Sequence, residues 1–232
     1  MIVIKYINIT SINSGNYQLF RNVVSEERRM KADRFRFIDD AKRSIFSEVL
    51  LQYILYQAVG QLVKMDIAYN EFGKPFLNHM NDFSYNLSHS GKWVVIAYGS
   101  SEVGIDIEKI LTGREDIADI YFTEHEKRFI NAATGKERNK RFTQIWTLKE
   151  SYIKYLGTGL SSSLNSFSVD MLHGTVTDQN GKVNKDVRLK CYSFDTEYYL
   201  SICSVEEEVA FNEIRLENLV GFVSECKKKR NA

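Results

Sequence analysis

The sequence predicts an α+β protein, on three observations. Short segments with apolar residues alternating at period two recur along the chain, beginning at Met1 and ending near Val205. Two longer segments, Ala41 to Gly60 and Arg141 to Leu156, carry apolar residues at helical spacing. Both kinds occur in each half, so strands and helices are mixed throughout. The polar run Gly99-Ser100-Ser101-Glu102 is the best internal boundary. It divides the 232 residues into an N-terminal half, 1–101, and a C-terminal half, 102–226, with a basic tail, 227–232.

With 44% hydrophobic and 26% charged residues, the chain can bury a sizeable core. Lysine and arginine number 31 against 30 aspartates and glutamates, so no general affinity for nucleic acid or membrane is expected, and any anion site must be local. Cys191, Cys203 and Cys226 are odd in number and lack metal-ligand spacing, which fits a reduced, cytoplasmic protein. No apolar run of roughly 18 residues exists, so no membrane span is expected. Met1 to Ile9 is too short and too alternating for a signal peptide. The single proline, Pro75, follows Phe72-Gly73-Lys74, which marks a turn of fixed shape.

Taken in order, Met1 to Ile9 reads as a strand and Ser14-Gly15 as a loop. A helix from Glu26 to Phe37 has Ser25 as its N-cap, and Arg28 and Lys31, three apart, share a face. Asp39-Asp40 open the core helix Ala41 to Gly60, with Arg43 in a first turn that usually favours acids. An extended piece, Ile67 to Phe72, leads into the Gly73-Lys74-Pro75 turn, and strands at 83–87 and 93–98 flank Ser88-His89-Ser90-Gly91. Strand 103–108 precedes helices at 116–122 and from Thr123 to Asn131, where Thr123 and Glu126 form a capping box. A charged connection at 136–140 leads to the long helix 141–156, closed by Gly157. Strands at 167–171, 174–177, 187–194 and 198–205 follow, with a hairpin turn at Gln179-Asn180-Gly181, then a final helix at 212–226.

The residues that carry chemistry concentrate between Val103 and Gly159. In Gly104-Ile105-Asp106-Ile107-Glu108, the strand period puts Asp106 and Glu108 on one face, roughly 7 Å apart. In Trp146-Thr147-Leu148-Lys149-Glu150-Ser151-Tyr152-Ile153-Lys154, Glu150 and Lys154 share a helix face. With that helix packed beside the strand, three carboxylates converge, and three hard oxygen ligands plus a bound phosphate suit magnesium. Each pattern also has a plainer meaning: a solvated strand face, and a surface ion pair. Ser88-His89 is discounted as a nucleophile and base, since neighbours on an extended segment diverge and no acid orients the histidine. Hydrogen bonding to an anion is the better reading.

Gly73-Lys74-Pro75, Asn86-Leu87-Ser88-His89-Ser90-Gly91, Gly104 to Glu108 and Trp146 to Lys154 occur in that order, followed by Ser166-Phe167-Ser168-Val169. Together they resemble the 4′-phosphopantetheinyl transferases, specifically the surfactin-synthetase-activating type. The resemblance runs from about Ser25 to Val169. It implies two similar α/β halves related by a pseudo-twofold, with coenzyme A between them, in a monomer. It implies transfer of phosphopantetheine from coenzyme A to a serine of an apo acyl, peptidyl or polyketide carrier protein, with adenosine 3′,5′-bisphosphate leaving. Asp106, Glu108 and Glu150 would hold Mg²⁺, or Mn²⁺ in its place. Gly73, Lys74 and Pro75 would pack near the adenine. Ser88 and His89 would meet the phosphates, Arg28, Lys31 and Arg43 the ribose 3′-phosphate, and Lys154 the pyrophosphate. Arg28 departs from the family, which often has lysine there.

Such a transfer needs charge neutralisation and positioning, with Lys154 and His89 assisting. The serine proton would pass to Glu150 or Glu126, directly or through water. Tyr121 and Phe122, or the end of the long helix from Lys154 to Leu160, are candidates to dock the carrier, the alternative being that both aromatics belong to the core. Two rival functions use the same residues: a non-catalytic module binding coenzyme A or a carrier protein, and a magnesium-dependent nucleotide hydrolase.

Overall fold

A computed structural model describes residues 1–61, 63–159 and 163–230. The first half builds a sheet from β1 (Ile2–Asn8), β4 (Ser84–Ser90) and β5 (Trp93–Gly99), with the hairpin β2 (Ile67–Tyr69) and β3 (Pro75–Leu77) set apart. Its helices are α1 (Ser14–Arg21), α2 (Glu26–Ala32) and the 22-residue α3 (Ile38–Val59). The second half has β6 (Val103–Lys109), α4 (Glu115–Tyr121), α5 (Glu124–Asn131) and the 22-residue α6 (Gly135–Leu156). Strands β7 (Phe167–Asp170), β8 (Thr175–Asp178), β9 (Val183–Asn184), β10 (Arg188–Ser193) and β11 (Tyr198–Ser204) follow. The chain finishes with β12 (Val209–Glu213) and α7 (Leu216–Arg230).

The α+β reading is what the structure shows. Strand order is β12-β1-β5-β4 in one sheet and β10-β11-β6 in a second, with β7-β8-β9 forming a further small sheet. Each half therefore pairs its opening strand antiparallel with the second strand of a later hairpin, β1 with β5 and β6 with β11. The inner faces of the two sheets bury Ile2, Ile4, Val95 and Ala97 against Ile105, Ile107, Leu200 and Ile202. A second core packs α3 on the outer face of the first sheet, and a third packs α6 on the second half.

Several boundaries differ from the sequence expectation. Around Ser14-Gly15 the chain forms α1, because Asn13 accepts the Asn16 N–H at 2.9 Å and caps it. Helix α2 ends at Ala32 rather than Phe37. Helix α3 starts at Ile38, so Arg43 stands in its second turn. Lys136 to Lys140 continue α6 instead of forming a connection. Most consequential is the C-terminus. Strand β12 adds parallel to β1, and Leu219, Phe222 and Val223 of α7 join the core of α3. Residues 102–226 are thus not one half, because the chain from Val209 onward returns to the first. Lys227 and Lys228 extend α7 rather than forming a free tail, and residues 231–232 lie outside the described residues.

Two glycines position the elements that matter below. Gly157 adopts φ 68° and ends α6, its N–H donating to the Ile153 carbonyl at 2.9 Å. Gly104 lets α6 lie directly on β6: a Cβ there would stand 2.0 Å from the Ser151 carbonyl oxygen and 2.3 Å from the Tyr155 nitrogen. Both are backbone atoms, so relief requires the helix to move. Gly104→Ala is expected to cost about 3 kcal/mol, as overpacking against rigid backbone does. Urea unfolding checks this; an unchanged midpoint would show that α6 does not rest on β6.

Candidate active site

Strands β4 and β6 belong to different sheets, yet they are joined. The N–H groups of Ile105, Ile107 and Lys109 find no strand on that side and donate to β4 side chains instead. Their acceptors are Asn86 Oδ1 at 3.0 Å, Ser88 Oγ at 3.3 Å and Ser90 Oγ at 3.1 Å. The period of two puts these three β4 side chains on one edge. The same serines donate to the acids of β6, Ser88 to Asp106 Oδ1 at 2.8 Å and Ser90 to Glu108 Oε2 at 2.7 Å. From α6, Lys154 Nζ reaches Asp106 Oδ1 at 2.6 Å and Ser88 Oγ at 3.2 Å.

A cavity of about 500 Å³ opens over this seam. Of the residues expected in the site, Arg28, Lys31, Gly73, Pro75, Ser88, His89, Asp106, Glu108, Glu150 and Lys154 line it. The carboxylates are held close enough to disturb one another. Burial and the Asp106 charge push Glu108 up to about 7, against the lowering effects of Ser90 and Lys154. Burial, then Asp106, raises Glu150 as well, while Lys154 opposes. Asp106 Oδ2 is buried and has no hydrogen-bond partner among the described residues. Crowded acids around an orphaned carboxylate oxygen fit a hard divalent cation. Among the described residues, however, no three acidic, histidine or cysteine side chains stand in a ligating group. The Lys154 ammonium balances Asp106 instead.

At the other end, Arg28 Nε lies 3.3 Å from Glu48 Oε2. Glu48 is buried and also accepts the Ser25 N–H at 2.6 Å and the Ser25 hydroxyl at 2.8 Å. It fixes α2 and Arg28 against α3. Lys31 is exposed on the same face of α2. His89 stands at the mouth; its ring is open to solvent on one side, yet surrounding protein displaces enough water to lower its pKa, and Arg43 adds to this. It is the neutral imidazole that faces the cavity at neutral pH.

Four of the residues singled out in the sequence stand away from the cavity. Arg43 does not line the cavity, because its guanidinium pairs with Asp40 and donates to the Gly91 carbonyl. Lys74 turns away and joins the halves, its Nζ 2.6 Å from Glu102 Oε2 and 3.1 Å from the Tyr155 carbonyl oxygen. Glu126 is remote from the cavity and sealed in the core of the second half. It completes the capping box, accepting the Thr123 N–H at 2.8 Å, and also accepts the Val169 N–H at 2.9 Å. Its Oε1 lies 2.9 Å from the ammonium of Lys149, both side chains having no exposed surface. Both oxygens are engaged in the core, where burial keeps a substrate from reaching them. Of the two readings open for Phe122, carrier contact or core, the structure has core: it is 2% exposed and packs on Phe142 and Trp146. Its neighbours Ile120 and Tyr121 are exposed, and Leu160 lies outside the described residues.

Two family models match the chain. One, described as the 4′-phosphopantetheinyl transferase superfamily, covers residues 102–203, and the other, described as 4′-phosphopantetheinyl transferase, N-terminal, covers residues 12–101. A 4′-phosphopantetheinyl transferase of Bacillus subtilis is 33% identical over 199 residues, 85% of this chain and 89% of its own length. The chain belongs to the 4′-phosphopantetheinyl transferase family. The transferase Sfp of Bacillus subtilis strain 168 is 35% identical over 193 residues, 82% of this chain and 85% of that one. A holo-(acyl-carrier-protein) synthase from Bacillus anthracis, solved in complex with CoA (3′,5′-ADP), overlays at a TM-score of 0.36 and 22% identity, over 47% of this chain and 97% of that one. The protein is an enzyme of the phosphopantetheinyl transferase type.

Two buried charges of this transferase were legible only as anomalies. Glu48 sits between Ile45 and Leu51 on the buried stripe of α3, and Lys149 sits between Ile145 and Tyr152 on that of α6. A charge within an apolar stripe signals a buried partner. Lys149 donates to the carbonyls of Leu164 at 2.7 Å and Phe167 at 2.6 Å besides Glu126. Burial lowers its pKa, and Glu126 opposes that.

Glu126→Gln removes the counter-charge of a fully buried ammonium. It is expected to cost about 3 kcal/mol of stability, measured by denaturant unfolding; an unchanged midpoint would show that the pair is not buried. Glu108 gives a test through pH. Its folded pKa lies above the ordinary 4.5, so between about 4.5 and about 7 the folded chain keeps a proton that the unfolded chain has lost. Stability should therefore fall as pH rises through that window. In buffer with a chelator, Glu108→Gln should melt with wild type near pH 4 and well above it at pH 8. Parallel curves across the range would contradict the crowding of the acids.

Proposed function

We propose that this enzyme transfers the 4′-phosphopantetheine group of coenzyme A to a serine of an apo acyl, peptidyl or polyketide carrier protein, in the presence of Mg²⁺ or Mn²⁺, leaving adenosine 3′,5′-bisphosphate. The observation that carries this reading is the polarity of one cavity. Arg28 and Lys31 stand at one end, and Lys154 with three carboxylates at the other. A molecule with a phosphate at one end and a diphosphate further along suits that order.

In this reading Lys31 and Arg28 receive the 3′-phosphate, with Glu48 holding the Arg28 fork in place. Gly73 and Pro75 form the wall beside the base. The neutral imidazole of His89 donates a hydrogen bond to the phosphates. Asp106, Glu108 and Glu150 would hold the divalent cation, which would supply charge neutralisation on the diphosphate oxygens. Lys154 then stabilises negative charge as the bond to the leaving bisphosphate lengthens. The carrier serine oxygen forms the new bond to phosphorus, and its proton passes to Glu150, directly or through water. Glu126 takes no part. Burial and Asp106 raise the pKa of Glu150, which makes it a stronger base than an ordinary carboxylate. The exposed Ile120 and Tyr121 of α4 offer the carrier an apolar contact.

Mass spectrometry of an apo carrier incubated with enzyme, coenzyme A and Mg²⁺ tests the reading. The carrier is expected to gain one phosphopantetheine, with no coenzyme A consumed in its absence. Consumption without a carrier would establish a hydrolase instead, and binding without turnover a non-catalytic module. Dephospho-coenzyme A isolates the 3′-phosphate end. One charge-assisted contact should give about tenfold preference for coenzyme A, and Arg28→Ala with Lys31→Ala should abolish it while dephospho-coenzyme A turnover persists. Equal loss on both substrates would contradict this placement.

A further inference from the structure

We propose that Ser88 and Ser90 are positioning residues for the carboxylates of β6; this deepens the transfer reading above and rests on it. A serine hydroxyl has one proton and two lone pairs. All three are spent at Ser88. Its proton goes to Asp106 Oδ1, and its lone pairs accept the Ile107 N–H and the Lys154 ammonium. At Ser90 the proton goes to Glu108 Oε2, and one lone pair accepts the Lys109 N–H.

The device occurs twice in register. Each serine binds one acid and the N–H of the residue after it, and both repeats advance by two residues on both strands. A hydroxyl anchored to the backbone in this way cannot rotate freely, so it fixes which carboxylate oxygen is tied and which is presented. At Asp106 the oxygen left over is the buried Oδ2 without a partner. A group standing behind a cation-binding carboxylate commonly changes affinity or rate by about 10–100-fold.

The test compares wild type with Ser90→Ala and Ser90→Thr, the latter keeping the hydroxyl. Two quantities are read on the full chain: the affinity for Mn²⁺ alone, by calorimetry, and the kcat and coenzyme A KM of transfer. Ser90→Ala is expected to weaken Mn²⁺ at least about tenfold and to lower kcat about thirtyfold, with the coenzyme A KM within about twofold; Ser90→Thr should recover both. Should alanine fail to fold, Ser90→Cys keeps the size but donates weakly and carries the same expectation. An unaffected kcat and Mn²⁺ affinity beside an active wild type would overturn the proposal alone. So would a raised coenzyme A KM at constant kcat, which marks a substrate ligand. A wild type that neither transfers nor binds Mn²⁺ would overturn the transfer reading and this one with it.

Discussion

The molecule depends on the seam where β4 lends side chains to β6. Two sheets that do not share a backbone ladder still have to satisfy the N–H groups along their junction. Leaving a buried N–H unpaired costs about 1–3 kcal/mol, and Ile105 and Ile107 present two such groups, with the exposed Lys109 N–H next along the strand. Asn86, Ser88 and Ser90 supply the oxygens, and the requirement for short polar side chains every second residue follows. Gly104 then allows α6 to lie against the same strand. Once those contacts are made, the acids of β6 and the Glu150–Lys154 pair of α6 have to face one cavity.

That closeness has an electrostatic consequence. Burial and the charge of Asp106 raise the proton affinity of Glu108 and Glu150, and the Lys154 ammonium opposes both shifts. The same helix handles its other lysine in the opposite way. Lys149 is five residues earlier, about 140° around the helix from Lys154, and it points into the core. There it meets Glu126, two carbonyls and the ring of Phe167 at 4.3 Å. Its environment is complete, whereas the environment of the acids at the seam is not. A pair with every bond satisfied holds structure, and a cluster with an orphaned oxygen is poised for a ligand.

Much of this was legible in the sequence, for local reasons. The period of two in Gly104 to Glu108 and the four-residue spacing of Glu150 and Lys154 set which side chains share a face, and the cavity contains all four. Glycine at 157 marked the end of α6 for the same kind of reason. What was not legible depends on chain that is distant in sequence. Strand β12 carries little periodicity and exists because β1 offers it an edge. Arg43 and Lys74 read as ligands until Asp40, Gly91 and Glu102 claim them. Glu126 reads equally as a cap or a base; the burial of Lys149 beside it decides for the cap.

Native-state hydrogen exchange at β6 tests the central claim most directly. The amides of Ile107 and Lys109 have no backbone partner on the β4 side, so their protection must come from Ser88 and Ser90. They are predicted to exchange as slowly as the ladder amides that β6 shares with β11. Replacing both serines by alanine should accelerate Ile107 and Lys109 selectively, with the remaining amides of the strand unchanged. Rapid exchange of these two amides in the wild type, or no change on removing the serines, would contradict the account.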